Sequence, residues 1–256
     1  MSPPSDGGGP GIVSVSSRVA TGAVGNSRIE AAFRLLAPAV SLSTIDTVQW
    51  TAPGNVPTRA GPTLGVADLG AMMAALRSRW WLTGYLRSAE QVRVVATALA
   101  RIDGAAVLVD PVLGDMGRVY IDIQAAEAMR AELVPLADFL FPNETEARYL
   151  ALGEADPSPR PNPATLAGFL LARHPRLRGL AITGIDRDDG RIATLAATRD
   201  GSAEFSVRKI PGTHQGTGDY FAGAMAALLM TGVEFPEAVN RAQRAVAESL
   251  DGAVAR

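Results

Sequence analysis

Four consecutive residues carry the sharpest chemical signal in the chain: Gly216-Thr217-Gly218-Asp219, followed by the small and apolar run 220–230. Glycines at a helix start let backbone N–H groups approach an anion, and the helix dipole favours negative charge there. A carboxylate beside such a nest could take a proton from an attacking alcohol while the amides hold charge on a transferred group. The competing reading is structural, with Asp219 as a helix-start carboxylate only, and for these four residues alone the two are evenly balanced.

A second cluster is Asp110-Pro111-Val112-Leu113-Gly114-Asp115, where an apolar run ends in a carboxylate and turn residues follow. Carboxylates at the carboxyl end of a parallel strand lie where an α/β sheet places its site. A turn with a capping Asp explains the same residues. The third cluster, Pro142-Asn143-Glu144-Thr145-Glu146, has the spacing of a capping box. Alternatively, Asn143 and Glu146 face one crevice and, with Asp115, position hydrated magnesium through oxygen ligands. Ser14-Val15-Ser16-Ser17 ends the first apolar run, and Gly22, Gly25 and Asn26 lead into a helix, but G-x-G-x-x-G is absent. Leu82-Thr83-Gly84-Tyr85 could set an aromatic ring over a flat substrate; a core tyrosine is the commoner outcome.

The elements that must hold these residues follow from the hydrophobic pattern. Short apolar runs at 12–16, 40–48, 80–83, 105–109, 139–141 and 180–183 predict buried strands. Amphipathic stretches at 26–36, 66–77, 88–100, 122–132, 144–150 and 163–173 predict helices between them. Strand and helix in alternation give an α/β fold, a parallel, doubly wound sheet between helical layers. Residues 192–197 and 203–207 predict a hairpin about Asp200-Gly201, and helices at 218–230 and 235–250 close the chain. The proline- and glycine-rich stretches 52–65 and 155–163 read as loops too short to divide domains. Residues 1–11 read as a flexible tail and 12–256 as a single domain.

Bulk composition narrows the function classes. The 256 residues are 47% hydrophobic and 20% charged, with net charge -2, which argues against nucleic acid or an anionic membrane as partner. The chain has no cysteine and only two histidines, His174 and His214, so thiolate catalysis, zinc–thiolate sites and histidine-rich metal centres are excluded. No apolar run reaches the roughly 20 residues of a membrane helix, and the first residues lack the pattern of a signal peptide. The expected setting is the cytoplasm.

In this order, the segments Ser14 to Ser17, Gly22-Ala23-Val24-Gly25-Asn26, Thr47-Val48-Gln49-Trp50, Leu82 to Tyr85, Asp110 to Asp115, Pro142-Asn143 with Glu146, Thr183 and Gly216 to Asp219 resemble the pyridoxal kinase family of the ribokinase-like superfamily. The resemblance implies a three-layer α/β/α fold, usually a homodimer. It implies transfer of the γ-phosphoryl group of ATP to the 5′-hydroxymethyl of a B6 vitamer, with magnesium and, as a further candidate, a monovalent cation such as K+. On that resemblance Asp219 is the base and Gly216, Thr217 and Gly218 form the anion hole. Asp115 and Glu146 surround the metal, Asn143 and Thr183 contact ATP, and Ser17, Val24, Trp50 and Tyr85 hold the pyridine ring. Three departures stand out. Pro53 and Gly54 occupy the place of a polar His-Thr pair, Phe141 replaces a Thr before Pro-Asn, and the segment after Asp115 is short. They leave open another hydroxymethyl acceptor, such as hydroxymethylpyrimidine, and a non-catalytic homologue that binds a vitamer or nucleotide.

Overall fold

The computed structural model describes residues 11–54, 59–212 and 214–254, with side chains through 251. The expected tail therefore lies outside the described residues except for Gly11, as does part of the loop expected at 52–65.

In chain order the elements are β1 (Ile12–Val19), α1 (Asn26–Leu36), β2 (Leu42–Trp50), α2 (Val66–Ala75), β3 (Trp80–Thr83), α3 (Ala89–Ala100) and β4 (Ala106–Val109). Then come β5 (Gly114–Asp115), β6 (Arg118–Val119), α4 (Ile123–Ala128), β7 (Phe139–Leu140), α5 (Glu144–Leu152) and α6 (Pro163–Arg173). The chain continues through β8 (Gly179–Asp186), β9 (Arg191–Thr198), β10 (Gly201–Arg208), α7 (Thr217–Met230) and α8 (Phe235–Val254).

The eight-stranded sheet has the order β10-β9-β8-β7-β4-β3-β1-β2. Its strands from β2 to β8 are parallel, and β9 and β10 add an antiparallel edge. Alternation along each strand divides the core. Val13, Trp81, Val107, Leu140 and Ile182 face the layer of α2 to α6, while Ile12, Leu82, Leu108, Phe139 and Ala181 face α1, α7 and α8. Both faces are covered, which is why these strands read as continuous apolar runs. The chain leaves β1 toward β2, then returns to β3 on the other side of β1, so the order reverses at β1/β3. A crevice at the carboxyl ends there is where open α/β sheets bind ligands.

Differences from the sequence reading have local causes. β1 runs to Val19 rather than stopping at Ser16, because Arg18 is tied to Asp46 of β2 and Glu30 of α1. The expected helix at 122–132 keeps its α form only to Ala128, then widens into a π turn at Met129–Leu133 and a 3-10 turn at Val134–Leu136. Pro135 lacks the N–H that would continue the ladder. Part of the expected loop after Trp50 returns along β2, with Val48 bridging Thr63 and Gln49 N–H donating to Pro62 O at 2.9 Å. The two-residue strands β5 and β6 form a small hairpin the sequence reading did not contain; its turn places Met116 and Gly117 at φ 51° and 78°.

Candidate active site

The site is assembled at the carboxyl ends of β1, β2, β3, β4, β7 and β8 and at the starts of α5 and α7. Gly216 caps α7 in the left-handed region, φ 75°. A Cβ there would lie 2.1 Å from Ala23 O, so the turn and the 20–25 loop are in direct backbone contact. The first-turn amides of Thr217, Gly218 and Asp219 have no partner within the helix, as at any helix start. Gly218 is exposed and Asp219 partly so. Asp219 accepts a hydrogen bond from the Gly25 N–H and feels the Arg28 guanidinium; both hold its carboxyl down, while burial, the larger effect, pushes it up.

Asp110 stands opposite. It is 5% exposed, and its Oδ2 has no hydrogen-bond partner. A Cβ on Gly218 would sit 4.0 Å from that oxygen, which places it in front of α7. Burial, Asp219 and Glu146 together push its carboxyl well above the usual range. Glu146 is also raised by burial, to about 7, although three backbone amides oppose the shift. Its Oε1 accepts from Leu113 N–H at 2.8 Å and Gly114 N–H at 3.4 Å, and its Oε2 from Asn143 N–H at 2.8 Å.

The capping box expected at Asn143 and Glu146 is present. Asn143 does more than cap: its Nδ2 donates to Gly114 O at 2.8 Å, and its backbone bridges Thr183 on the next strand. Thr183 and Gly184 form a bulge in β8, with Gly184 at φ 74°, so the strand turns outward at the site. Asp115, expected with Glu146 around the metal, lies near enough to Glu146 for its charge to raise that carboxyl. It is exposed on the hairpin, and its Oδ1 accepts from the Met116 N–H at 2.8 Å. The buried carboxylate with an unpartnered oxygen is Asp110, five residues earlier.

Four buried or half-buried groups make the second wall. Ser17 falls at a bulge in β1, between the pairs Ser16–Asp46 and Arg18–Gln49. Gly25 packs on it so closely that a Cβ would lie 2.0 Å from Ser17 O. Val24 is half-buried in the 20–25 loop. Trp50 and Tyr85 meet edge to face, ring centroids 5.8 Å apart. Tyr85 follows β3, held by its N–H to Ser16 Oγ at 3.2 Å and by Thr47 Oγ1 donating to its carbonyl at 2.8 Å.

Behind both walls lies a buried polar network. Asn26, fully buried, accepts from Ser14 Oγ at 2.7 Å and donates to Asp46 Oδ1 at 2.7 Å and to the carbonyls of Ser16 and Ile45. It locks the start of α1, and hence Gly25, against β1 and β2.

Sequence reasoning missed Arg28, whose Nε donates to Gly216 O at 3.4 Å, whose Nη2 donates to Ser249 Oγ at 3.1 Å and whose guanidinium lies 4.5 Å from the Tyr220 ring centre. It also missed Tyr120, 54% exposed, whose phenol is pushed up by the atoms crowded about its hydroxyl end and then by the charges of Glu146, Asp110, Asp219 and Asp115. A hairpin of two short strands is what aims that residue at the acids, and nothing in the local pattern announced it.

Among the described residues no set of three or more acidic or histidine side chains closes around a point as a complete metal cage. The donor set nevertheless fits a hydrated divalent cation. It is all oxygen, it contains a buried carboxylate oxygen lacking any partner, and Asp219 and Glu146 both push that carboxyl up. Magnesium usually keeps several waters and shares its charge with phosphates.

A family model described as phosphomethylpyrimidine kinase matches residues 37–255. A pyridoxal kinase of Rubrobacter xylanophilus is 30% identical, over 98% of this chain and 90% of its own length. A pyridoxine/pyridoxal/pyridoxamine kinase of Bordetella avium is 32% identical over 93% and 84%. Pyridoxal kinase from Leishmania donovani, solved with ADP and pyridoxamine, superposes with a TM-score of 0.83 at 25% identity, covering 96% of this chain and 90% of that one. The Lactobacillus plantarum pyridoxal kinase gives 0.83 and 25%, over 96% and 89%. Fold, anion loop and likeness together define a small-molecule kinase of ribokinase-like architecture. Within that class, the chain belongs to the pyridoxal kinase family.

Proposed function

We propose that the protein transfers the γ-phosphoryl group of ATP to the 5′-hydroxymethyl of a B6 vitamer, with Asp219 as general base. The observation that carries this is the first turn of α7: a partly exposed carboxylate and open amides on one side, and Asp110 with its unpartnered oxygen on the other. Asp219, oriented by the Gly25 N–H, takes the proton as the acceptor oxygen attacks the terminal phosphorus. The amides of Thr217, Gly218 and Asp219, with the Gly216 turn that presents them, hold the charge on the transferred group. Asn143 and Thr183, joined across β7 and β8, bind the nucleotide phosphates. Ser17, Val24, Trp50 and Tyr85 hold the pyridine ring. Asp110, Asp115 and Glu146 are the residues that would hold magnesium through water, where it would supply neutralising charge for the nucleotide phosphates. Most of the rate enhancement comes from positioning and charge stabilisation. A homodimer and a cytoplasmic setting are part of the same proposal.

The test is production of a 5′-phosphorylated vitamer from ATP and magnesium by the purified chain. Turnover of hydroxymethylpyrimidine with neglect of every vitamer would replace the acceptor. Tight binding of pyridoxal without any transfer under saturating ATP would favour a non-catalytic binder.

A further inference from the structure

The acceptor wall carries a charge pattern that phosphoryl transfer does not require. Two guanidinium groups lie against the Trp50 ring, Arg59 at 4.1 Å and Arg87 at 5.1 Å from its centre. Both also act on the Tyr85 phenol, pulling it down against the upward push of its burial. Arg59 Nη1 donates to Gly54 O at 3.0 Å. The segment that follows it is fastened to β2 by Thr51 N–H to Ala60 O at 2.8 Å and Leu64 N–H to Thr47 O at 2.9 Å.

Arg87 is anchored through its own N–H, which donates to Gln91 Oε1 at 2.9 Å. Gln91 is 1% exposed and donates in turn to Thr47 O and Leu64 O. Backbone and buried amide bonds therefore place both cations, and they converge on the two aromatic rings. Elsewhere in the site lie the carboxyl groups of Asp110, Glu146 and Asp219. The site is polarised along its length, acidic where the phosphoryl group moves and cationic where the ring is held.

We propose that Arg59 and Arg87 make the acceptor pocket discriminate by the charge of the ring substituent, against a cationic one and in favour of a neutral or anionic one. The inference rests on Trp50 and Tyr85 being the ring-holding residues of the proposed reaction. Among pyridine alcohols that share the acceptor hydroxymethyl, the substituent at ring position 4 spans all three states. It is an ammonium in pyridoxamine, uncharged in pyridoxine and a carboxylate in 4-pyridoxic acid. A cation brought beside two guanidinium groups, one half-buried and one exposed, meets repulsion that specificity can exploit, on the order of tenfold in affinity.

The experiment measures kcat/KM for pyridoxine and pyridoxamine, and 4-pyridoxic acid as a competitor of pyridoxine, at saturating ATP and magnesium near neutral pH. Pyridoxine is expected to exceed pyridoxamine by about tenfold. 4-Pyridoxic acid is expected to bind more tightly than pyridoxamine. Arg59→Gln and Arg87→Gln should each narrow the vitamer ratio about threefold or more, through a lower KM for pyridoxamine. Arg59→Lys, which keeps the charge, should preserve the ratio. Equal use of both vitamers by the unaltered chain overturns the inference. So does an unchanged ratio in both Gln variants when they melt like the parent. If a variant fails to fold, the cation–neutral–anion series on the unaltered chain still decides. Absence of turnover with every vitamer overturns the acceptor assignment itself, whereas turnover without charge discrimination overturns only the role of the arginines.

Discussion

Asp219 gathers opposing influences: burial raises its carboxyl, while the Gly25 amide and the Arg28 cation lower it. A base must be ionised, so kcat should fall as pH drops through this raised value. Asp219→Asn should lower kcat about a hundredfold or more with a smaller change in KM for ATP; an unchanged kcat removes Asp219 from the role. Arg28→Met should move the acid limb of the kcat profile to higher pH, and Arg28→Lys should largely restore it. A merely structural arginine would shift the melting temperature and leave that limb in place.

Asp110 gives the second residue-level prediction. Its folded value lies above that of an unfolded carboxylate, about 4, so its contribution to stability is present below that pH. The contribution is lost as pH rises through the folded value. At about pH 8, well above the unfolded value, the ligand-free protein must keep this carboxyl protonated or bury its charge, and either costs stability. Asp110→Asn should raise the melting temperature there, by about 2–4 °C per kcal/mol relieved. The gain should vanish in acid, and activity should fall. A variant that melts lower than the parent at alkaline pH would show that the charge is already compensated.

At the scale of elements, two helix starts are pressed together. α1 begins at Gly25 and α7 at Gly216, and the chain between β1 and α1 runs through both contacts. Asn26 holds this junction from inside. Asn26→Ala would leave Ser14 and Asp46 without their buried partner, at a cost of about 2–4 kcal/mol, read as a lower denaturant midpoint with unchanged slope. A loss below about 0.5 kcal/mol would mean that water replaces the amide.

Much of this was legible in the sequence. The six parallel strands announced themselves as Val-, Ile- and Leu-rich runs because both of their faces are covered. The glycine-bounded start of α7, the capping box and the C-terminal hairpin were each carried by adjacent residues. What the sequence concealed was contact at long separation. Arg28 meets Gly216 and Ser249 across most of the chain, and no local pattern encodes that. Asp110 and Asp115 share one motif, and only the burial of the first against the exposure of the second separates them. The β5–β6 hairpin was hidden because strands of two residues carry no periodicity.

At the scale of the molecule, the site draws on six strand ends and two helix starts, so ligands should tie the layers together. Magnesium–ATP and a vitamer at about a hundred times their dissociation constants should each stabilise the fold by about 2.7 kcal/mol. Their joint effect, read by thermal melting, should exceed the effect of either alone. No shift with nucleotide would contradict the proposed phosphate site. Among the described residues no helix is long and apolar enough to cross a membrane.

The backbone contact between the 20–25 loop and the Gly216 turn has a practical corollary for anyone reshaping this enzyme. Mutating that loop to admit bulkier acceptors would disturb the amides that cradle the migrating phosphate, so gains in scope there would be offset by slower turnover. The opposite flank, built from β2 and the β3–α3 connection, touches none of those amides in the contacts described. Diversifying positions 50, 59, 85 and 87 is therefore the route by which a library could alter substrate range without disturbing those amides.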